Sequence, residues 1–251
     1  MAQFLFYDNL TPLNRERHKQ MRLKPAKATF GYAKDVNSVP IAAVEFGEAA
    51  HEYPIVFAGS DKDSLAPAVL LGLADGANFY VDDDGNWSEG YKPAFVRMYP
   101  FVLANKGEDE FAVCVDEGFE GLNEDDGERL FDDEGKESEG LQNAIKFLTQ
   151  YQGEMRRTGN IMKTLSELDL LAERTVQIKK PDGTQTNLKG IYAIDEAKLN
   201  ALDDEKVVEL FRNGTMACIF AHLLSLRNLA RLTRKLDKGQ AAESSEGQTI
   251  N

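Results

Sequence analysis

Five residues of this 251-residue chain have side chains suited to holding a ligand: Glu45, Trp87, Tyr91, Arg97 and Tyr99. Four of them fall in one loop-rich stretch, Asn78 to Phe101, NFYVDDDGNWSEGYKPAFVRMYPF, which also holds the only tryptophan. Aromatic rings beside a single arginine can line an apolar pocket in which the guanidinium meets a carboxylate or phosphate. The same residues can instead form an aromatic core, with Arg97 paired to a structural acid such as Glu45. At this level both readings stand, contact residues for a peptide, protein or small ligand on one side and packing on the other.

Other chemistries find less support. Asp82, Asp83, Asp84 and Asn86 suggest a calcium loop, but counting from Asp82 puts Trp87 and Pro93 where an EF-hand needs its Gly and Glu. An acidic hairpin turn is expected instead. The acids at Glu124 to Asp126 and Asp132 to Glu134 offer weak calcium binding at most, against a solvated charged face. His18, His51 and His222 are too dispersed for a zinc or iron set. Cys114 and Cys218 lie in apolar surroundings without metal-type spacing, so free buried thiols are expected. Cys218, His222 and Ser225 share one helix side, a spacing open to a nucleophile and its base. A mid-helix cysteine lacks the helix N-terminus that lowers a thiol pKa, so a packing stripe is expected there. No GxSxG, Walker A or dinucleotide-type glycine loop occurs. These residues assign no catalytic group, metal or cofactor.

Positioning side chains of this kind requires a substantial fold, and the composition allows one. With 42% hydrophobic and 28% charged residues the chain is ordinary globular material, long enough to bury a real core. The formal net charge of −13 is local: Glu108 to Glu139 holds 15 acidic and 2 basic residues, which leaves the remainder formally neutral. A basic run, Arg15, Arg17, Lys19, Arg22, Lys24 and Lys27, precedes it. That run suits phosphate less well than it suits the acidic segment of the same chain or of a second copy, so no nucleic-acid partner is expected. No apolar stretch is long enough for a membrane span, and the opening residues lack a signal-peptide pattern, so a cytoplasmic location is expected. A homo-oligomer remains open.

The element pattern predicts an α+β fold, with a mostly antiparallel β N-terminal half packed against a helical C-terminal half. A short basic helix is expected over Pro12 to Met21, capped by Thr11 or Asn14. Extended segments follow at Pro40 to Phe46, Tyr53 to Gly59, Pro67 to Leu73 and Asn78 to Val81, then a hairpin of Phe101 to Ala104 with Phe111 to Val115. Ser138 is expected to cap a helix and a second helix to hold Ile161 to Leu171. Thr175 to Leu188 reads as a hairpin turning at Pro181 to Gly183. Asp195 and Asp203 or Asp204 cap short helices, and Gly214 ends the latter. Met216 to Leu236 reads as the longest helix, with Met216, Ile219, Phe220, Leu223, Leu226 and Ala230 on its core stripe. No internal repeat is visible. The expected organisation is an N-terminal segment 1–38, one domain over 39–236 that is β-rich to about residue 137, and a polar disordered tail at 237–251.

At PIAAVEFGEAAHEYPIVF, LLGLADGANFYVDDDGNWSEGYKPAFVRMYPF, GERLFDDEGKESEGLQNAIKFL and LKGIYAIDEAKLNALDDEKVVELFRNGTMACIFAHLLSLRNLARL the chain resembles the bacterial SapC family. The likeness runs from Val39 to Leu232, and Trp87 to Phe101 is its most distinctive part. The family's name comes from association with a paracrystalline surface layer, and its members occur near genes for outer-membrane receptors, halogenase-like flavoproteins and cupin-like proteins. The resemblance supplies no catalytic residues. The expected role is that of a non-enzymatic accessory or binding protein for a peptide, protein or small-ligand partner. The alternatives are an enzyme with a pocket around Arg97 and Glu45, or a surface-layer component, which would require export.

Overall fold

The computed structural model describes residues 5–24, 30–74, 76–88, 90–107, 110–179 and 185–236. In chain order these form β1 (Leu10–Pro12), β2 (Arg22–Leu23), β3 (Ser38–Pro40), α1 (Phe46–Ala49), β4 (Ile55–Ala58), β5 (Ala66–Leu70), α2 (Ala94–Arg97), β6 (Phe101–Gly107), β7 (Glu110–Asp116), β8 (Leu122–Asn123), β9 (Glu128–Arg129), α3 (Glu139–Glu167), β10 (Leu171–Lys179), β11 (Gln185–Ile194), α4 (Glu196–Asn200), α5 (Asp204–Arg212) and α6 (Thr215–Ser225). A 3-10 turn, Leu226–Asn228, carries α6 on to a last helical stretch that ends at Leu236.

The fold is α+β, with three antiparallel sheets ordered β1-β7-β6, β10-β11-β4-β5-β3 and β8-β2-β9. The division into a β half and a helical half is incomplete, because the β10–β11 hairpin pairs through Ile191 and Tyr192 with β4 and widens the N-terminal sheet. One buried cluster includes Phe6, Phe57, Trp87, Leu141 and Ile219, drawing side chains from every part of the chain. The turn expected at Pro181 to Gly183 and the tail 237–251 lie outside the described residues.

Several expectations change. No helix forms over Pro12 to Met21: Pro12 pairs with Cys114 in the sheet, and the Asn14 side chain accepts from the amides of Glu16 and Arg17 to close a single turn. The basic run then docks on the acidic segment of its own chain. Arg17 makes a two-pronged pair with Glu117, Lys24 bonds Asp126 at 2.6 Å, and β2 lies between β8 and β9.

Helix α3 is one helix of 29 residues where two were expected, and it is the longest. Ser138 caps it by accepting from the Leu141 amide, and Leu141, Leu148, Met162 and Leu165 bury one face through both halves. The core stripe of α6 is Thr215, Ile219, His222 and Ser225, whereas Phe220 faces solvent. His222 and Ser225 can be buried because each meets backbone: the Ile194 amide donates to His222 Nε2 at 3.1 Å, His222 Nδ1 reaches the Ile55 carbonyl at 2.9 Å, and the Ile55 amide donates to Ser225 Oγ at 2.9 Å.

A local repeat also emerges. The sequence repeats as DDDGNWSEG at 82–90 and DDEGKESEG at 132–140, and residues 82–87 and 132–137 build the same turn. In each, the first Asp accepts the amide four residues on through Oδ1 (2.7 Å to Asn86, 2.8 Å to Lys136), and the glycine adopts φ +79° or +78°. Bridges Val81 to Trp87 and Phe131 to Glu137 close both. The leading acids thus serve their own backbone as turn residues do.

Candidate functional site

The five candidate residues are not gathered into one pocket. Trp87 is a core side chain, 7% exposed, whose indole donates to the Tyr53 hydroxyl at 3.3 Å between the rings of Phe30 and Tyr80. Glu45, at the end of a 3-10 turn (Ala43–Glu45), is buried and fully used. One carboxylate oxygen accepts the Ala42 amide at 2.9 Å, and the other accepts the Ala94 amide at 2.7 Å and the Tyr91 hydroxyl at 2.6 Å. Burial, and then this bond to Glu45, push the Tyr91 phenol pKa up. Glu45 therefore ties the entry of α2 to the turn before α1. It does not meet Arg97.

Arg97 is exposed at the end of α2. Its Nε donates to the Lys92 carbonyl at 3.0 Å, and its guanidinium lies over the rings of Tyr91 and Phe147 at 5.9 and 5.0 Å. The expected ion pair with Glu45 is absent, and neither residue lines the cleft described next.

Tyr99 is the candidate that borders an open cleft. It follows α2 and leads into β6, where its ring stacks on Tyr32 at a centroid distance of 4.0 Å and meets Phe119 edge-on at 5.2 Å. Its hydroxyl donates to Asp116 Oδ2 at 3.2 Å. Asp116, 1% exposed at the end of β7, also accepts the amides of Asp8, Asn9 and Gly118. This carboxylate fastens the N-terminal strand, the β7 end and the Tyr99 ring into one wall. Burial first, and then the negative Asp116, raise the Tyr99 pKa, and burial raises that of Tyr32, so both rings stay neutral phenols.

The cleft encloses about 590 Å³. Phe6, Tyr32, Tyr99 and Phe119 supply its aromatic faces, and Asp8, Asp35, Asp83, Asp84 and Glu120 stand around it. All five acids are exposed, while Tyr32, Tyr99 and Phe119 are half-buried and so present ring surface to the opening. No Lys, Arg or His is among its described lining residues. Lys34 lies close enough to pair with Asp83 at 2.8 Å, and that bond lowers the Asp83 pKa.

Sequence reasoning reached Tyr99 but missed Tyr32, Phe119, Asp35 and Glu120. They come from segments far apart in the chain, and only the Asp116 hub and the sheet β1-β7-β6 bring them together. The usable signal was Phe119, an aromatic set between Gly118 and Glu120 in an acidic segment.

The SapC family model matches residues 13–232, most of the chain. The chain belongs to the SapC family. No curated protein and no solved structure matches it. Within this SapC fold the matched span takes in the cleft walls from Gly31 to Glu120 and the whole of the Asp116 hub except Asp8 and Asn9. Among the described residues no group of three or more His, Cys, Asp or Glu is placed to hold a metal ion.

Proposed function

We propose that this SapC-family protein is a non-enzymatic accessory protein that binds a positively charged group of a peptide, protein or small-molecule partner in the cleft beside Tyr99. One observation carries the reading: neutral aromatic faces and five carboxylates converge on a cleft with no cation among its described lining residues. Ring faces attract cations through their quadrupole, by roughly 0.5–2 kcal/mol each. Carboxylates at the rim steer a cation in and exclude an anion. The acids serve the opening, since the wall itself is held by Asp116. The protein acts in the cytoplasm in this proposal.

The test is titration of isotope-labelled protein with a lysine-rich peptide and, in parallel, a glutamate-rich peptide, followed by NMR. The lysine peptide should shift the signals of Tyr32, Tyr99 and Phe119, with affinity falling as salt is raised. Tyr99→Leu combined with Asp35→Asn should abolish those shifts. Equal binding of the two peptides, or no shift at the three aromatics, rejects the proposal.

A further inference from the structure

Helix α6 carries no Asp, Glu, Lys or Arg, and its outer face is apolar. Its buried face packs on the five-stranded sheet, and opposite it Ala217, Phe220 and Leu224 are exposed. Phe220 and Leu224 are 54% and 59% exposed, and α5, joined to α6 through Asn213 and Gly214, adds Val207, Val208 and Phe211, the last 76% exposed. A helix with no Asp, Glu, Lys or Arg and an apolar outer face is ordinarily a covered helix. Exposed large apolar side chains grouped on two joined helices mark an interface.

Charge and composition decide what covers it. Residues 237–251, DKGQAAESSEGQTIN, carry one large aliphatic side chain, Ile250, and so offer no apolar segment that matches it. A bilayer surface is disfavoured because Asp203, Asp204, Glu205 and Glu209 outnumber Lys206 and Arg212 along α5 and its cap, where interfacial helices carry an excess of Lys and Arg. The surface does complement itself. Acids crowd the start of α5, while the exposed Arg227 stands beyond the far end of α6.

We propose that the α5–α6 face is a two-fold dimer interface occupied by the same face of a second copy, with the acidic start of each α5 meeting Arg227 of the other. A two-fold axis makes every contact reciprocal, so one acid–base match is made twice. Phe211, Phe220 and Leu224 form the apolar centre, where large side chains dominate binding energy.

The experiment is sedimentation equilibrium of the full chain from about 1 to about 100 µM, a range that reports micromolar dimers. The wild type should approach twice its 27.9 kDa mass. Phe220→Glu, at an exposed position, should weaken association at least about 30-fold while leaving the circular dichroism unchanged. Arg227→Glu and Glu205→Arg should each weaken it, and the double exchange should recover part of the loss. A wild type that stays monomeric throughout, a dimer indifferent to Phe220→Glu, or a monomer that instead co-sediments with anionic vesicles through Phe220 each overturns the proposal.

Discussion

His222 makes the stability of this protein depend on pH in a defined window. The ring is fully buried, with Nδ1–H directed at the Ile55 carbonyl at 2.9 Å and Nε2 accepting the Ile194 amide at 3.1 Å. The Phe57 ring lies 4.7 Å away. A proton added at Nε2 would face the Ile194 N–H donor and would be charged in an apolar site. Burial accordingly lowers the imidazole pKa from 6.5 to about 4, against a smaller opposing effect of the Ile55 bond. The folded value lies below the unfolded one, so between these limits the unfolded chain binds a proton that the folded chain does not. Stability is therefore intact above pH 6.5 and drains as pH falls towards 4, by on the order of 3 kcal/mol across the window. His222→Gln can keep both hydrogen bonds and cannot ionise. Urea denaturation of the two proteins at pH 7.5 and pH 5 should show wild type losing stability on acidification by roughly 2 kcal/mol more than the variant. An equal loss in both would mean that His222 ionises freely in the fold, and the geometry above would be wrong.

Two further outcomes separate structural from ligand-binding roles. Glu45→Ala should cost about 3–5 kcal/mol in urea denaturation, because the buried amides of Ala42 and Ala94 lose their acceptor; a cost below about 1 kcal/mol would show that the site relaxes or admits water. Arg97→Ala should cost under about 1 kcal/mol, since it removes an exposed bond to the Lys92 carbonyl and two ring contacts. It should also leave lysine-peptide binding unchanged in the NMR titration, and lost binding would return Arg97 to the site.

What could be read from sequence was whatever neighbouring residues decide. Ser138, Asp195 and Asp203 cap their helices because a side-chain oxygen reaches an amide two or three residues away, and no distant part of the chain is needed. The β6–β7 hairpin was legible for the same reason. The basic N-terminal run failed this test. Its composition permits a helix, but the pairing of β1 with β7 and the grip of Glu117 on Arg17 come from about a hundred residues downstream and override local preference. The cleft was still less accessible, since Tyr32, Tyr99 and Phe119 have no common spacing and meet only once Asp116 has gathered the strands. Glu45 was expected as a ligand contact or as the partner of Arg97, but its carboxylate is taken up by the Ala42 and Ala94 amides and the Tyr91 hydroxyl.

The repeated turn shows how one residue can send the same local structure two ways. In both copies the serine amide after the bridge donates back to the residue before the turn, Ser88 to Tyr80 and Ser138 to Leu130. Ser138 then caps α3, which runs on through Asn143. At the position matching Asn143 the first copy has Pro93, which lacks the N–H a helix started at Ser88 would need and whose ring would collide with the carbonyl four residues back. Helix α2 instead begins only at Ala94, after Pro93, and the buried Ser88 hydroxyl is left without a hydrogen-bond partner among the described residues. The delay carries function in the reading advanced above. A long helix begun at Ser88 could not place the Ala94 amide on Glu45 or end in time for Tyr99 to stack on Tyr32. The most distinctive stretch of this SapC chain is thus a helix start displaced by a proline, and its consequence is the position of the one candidate ring that faces the cleft.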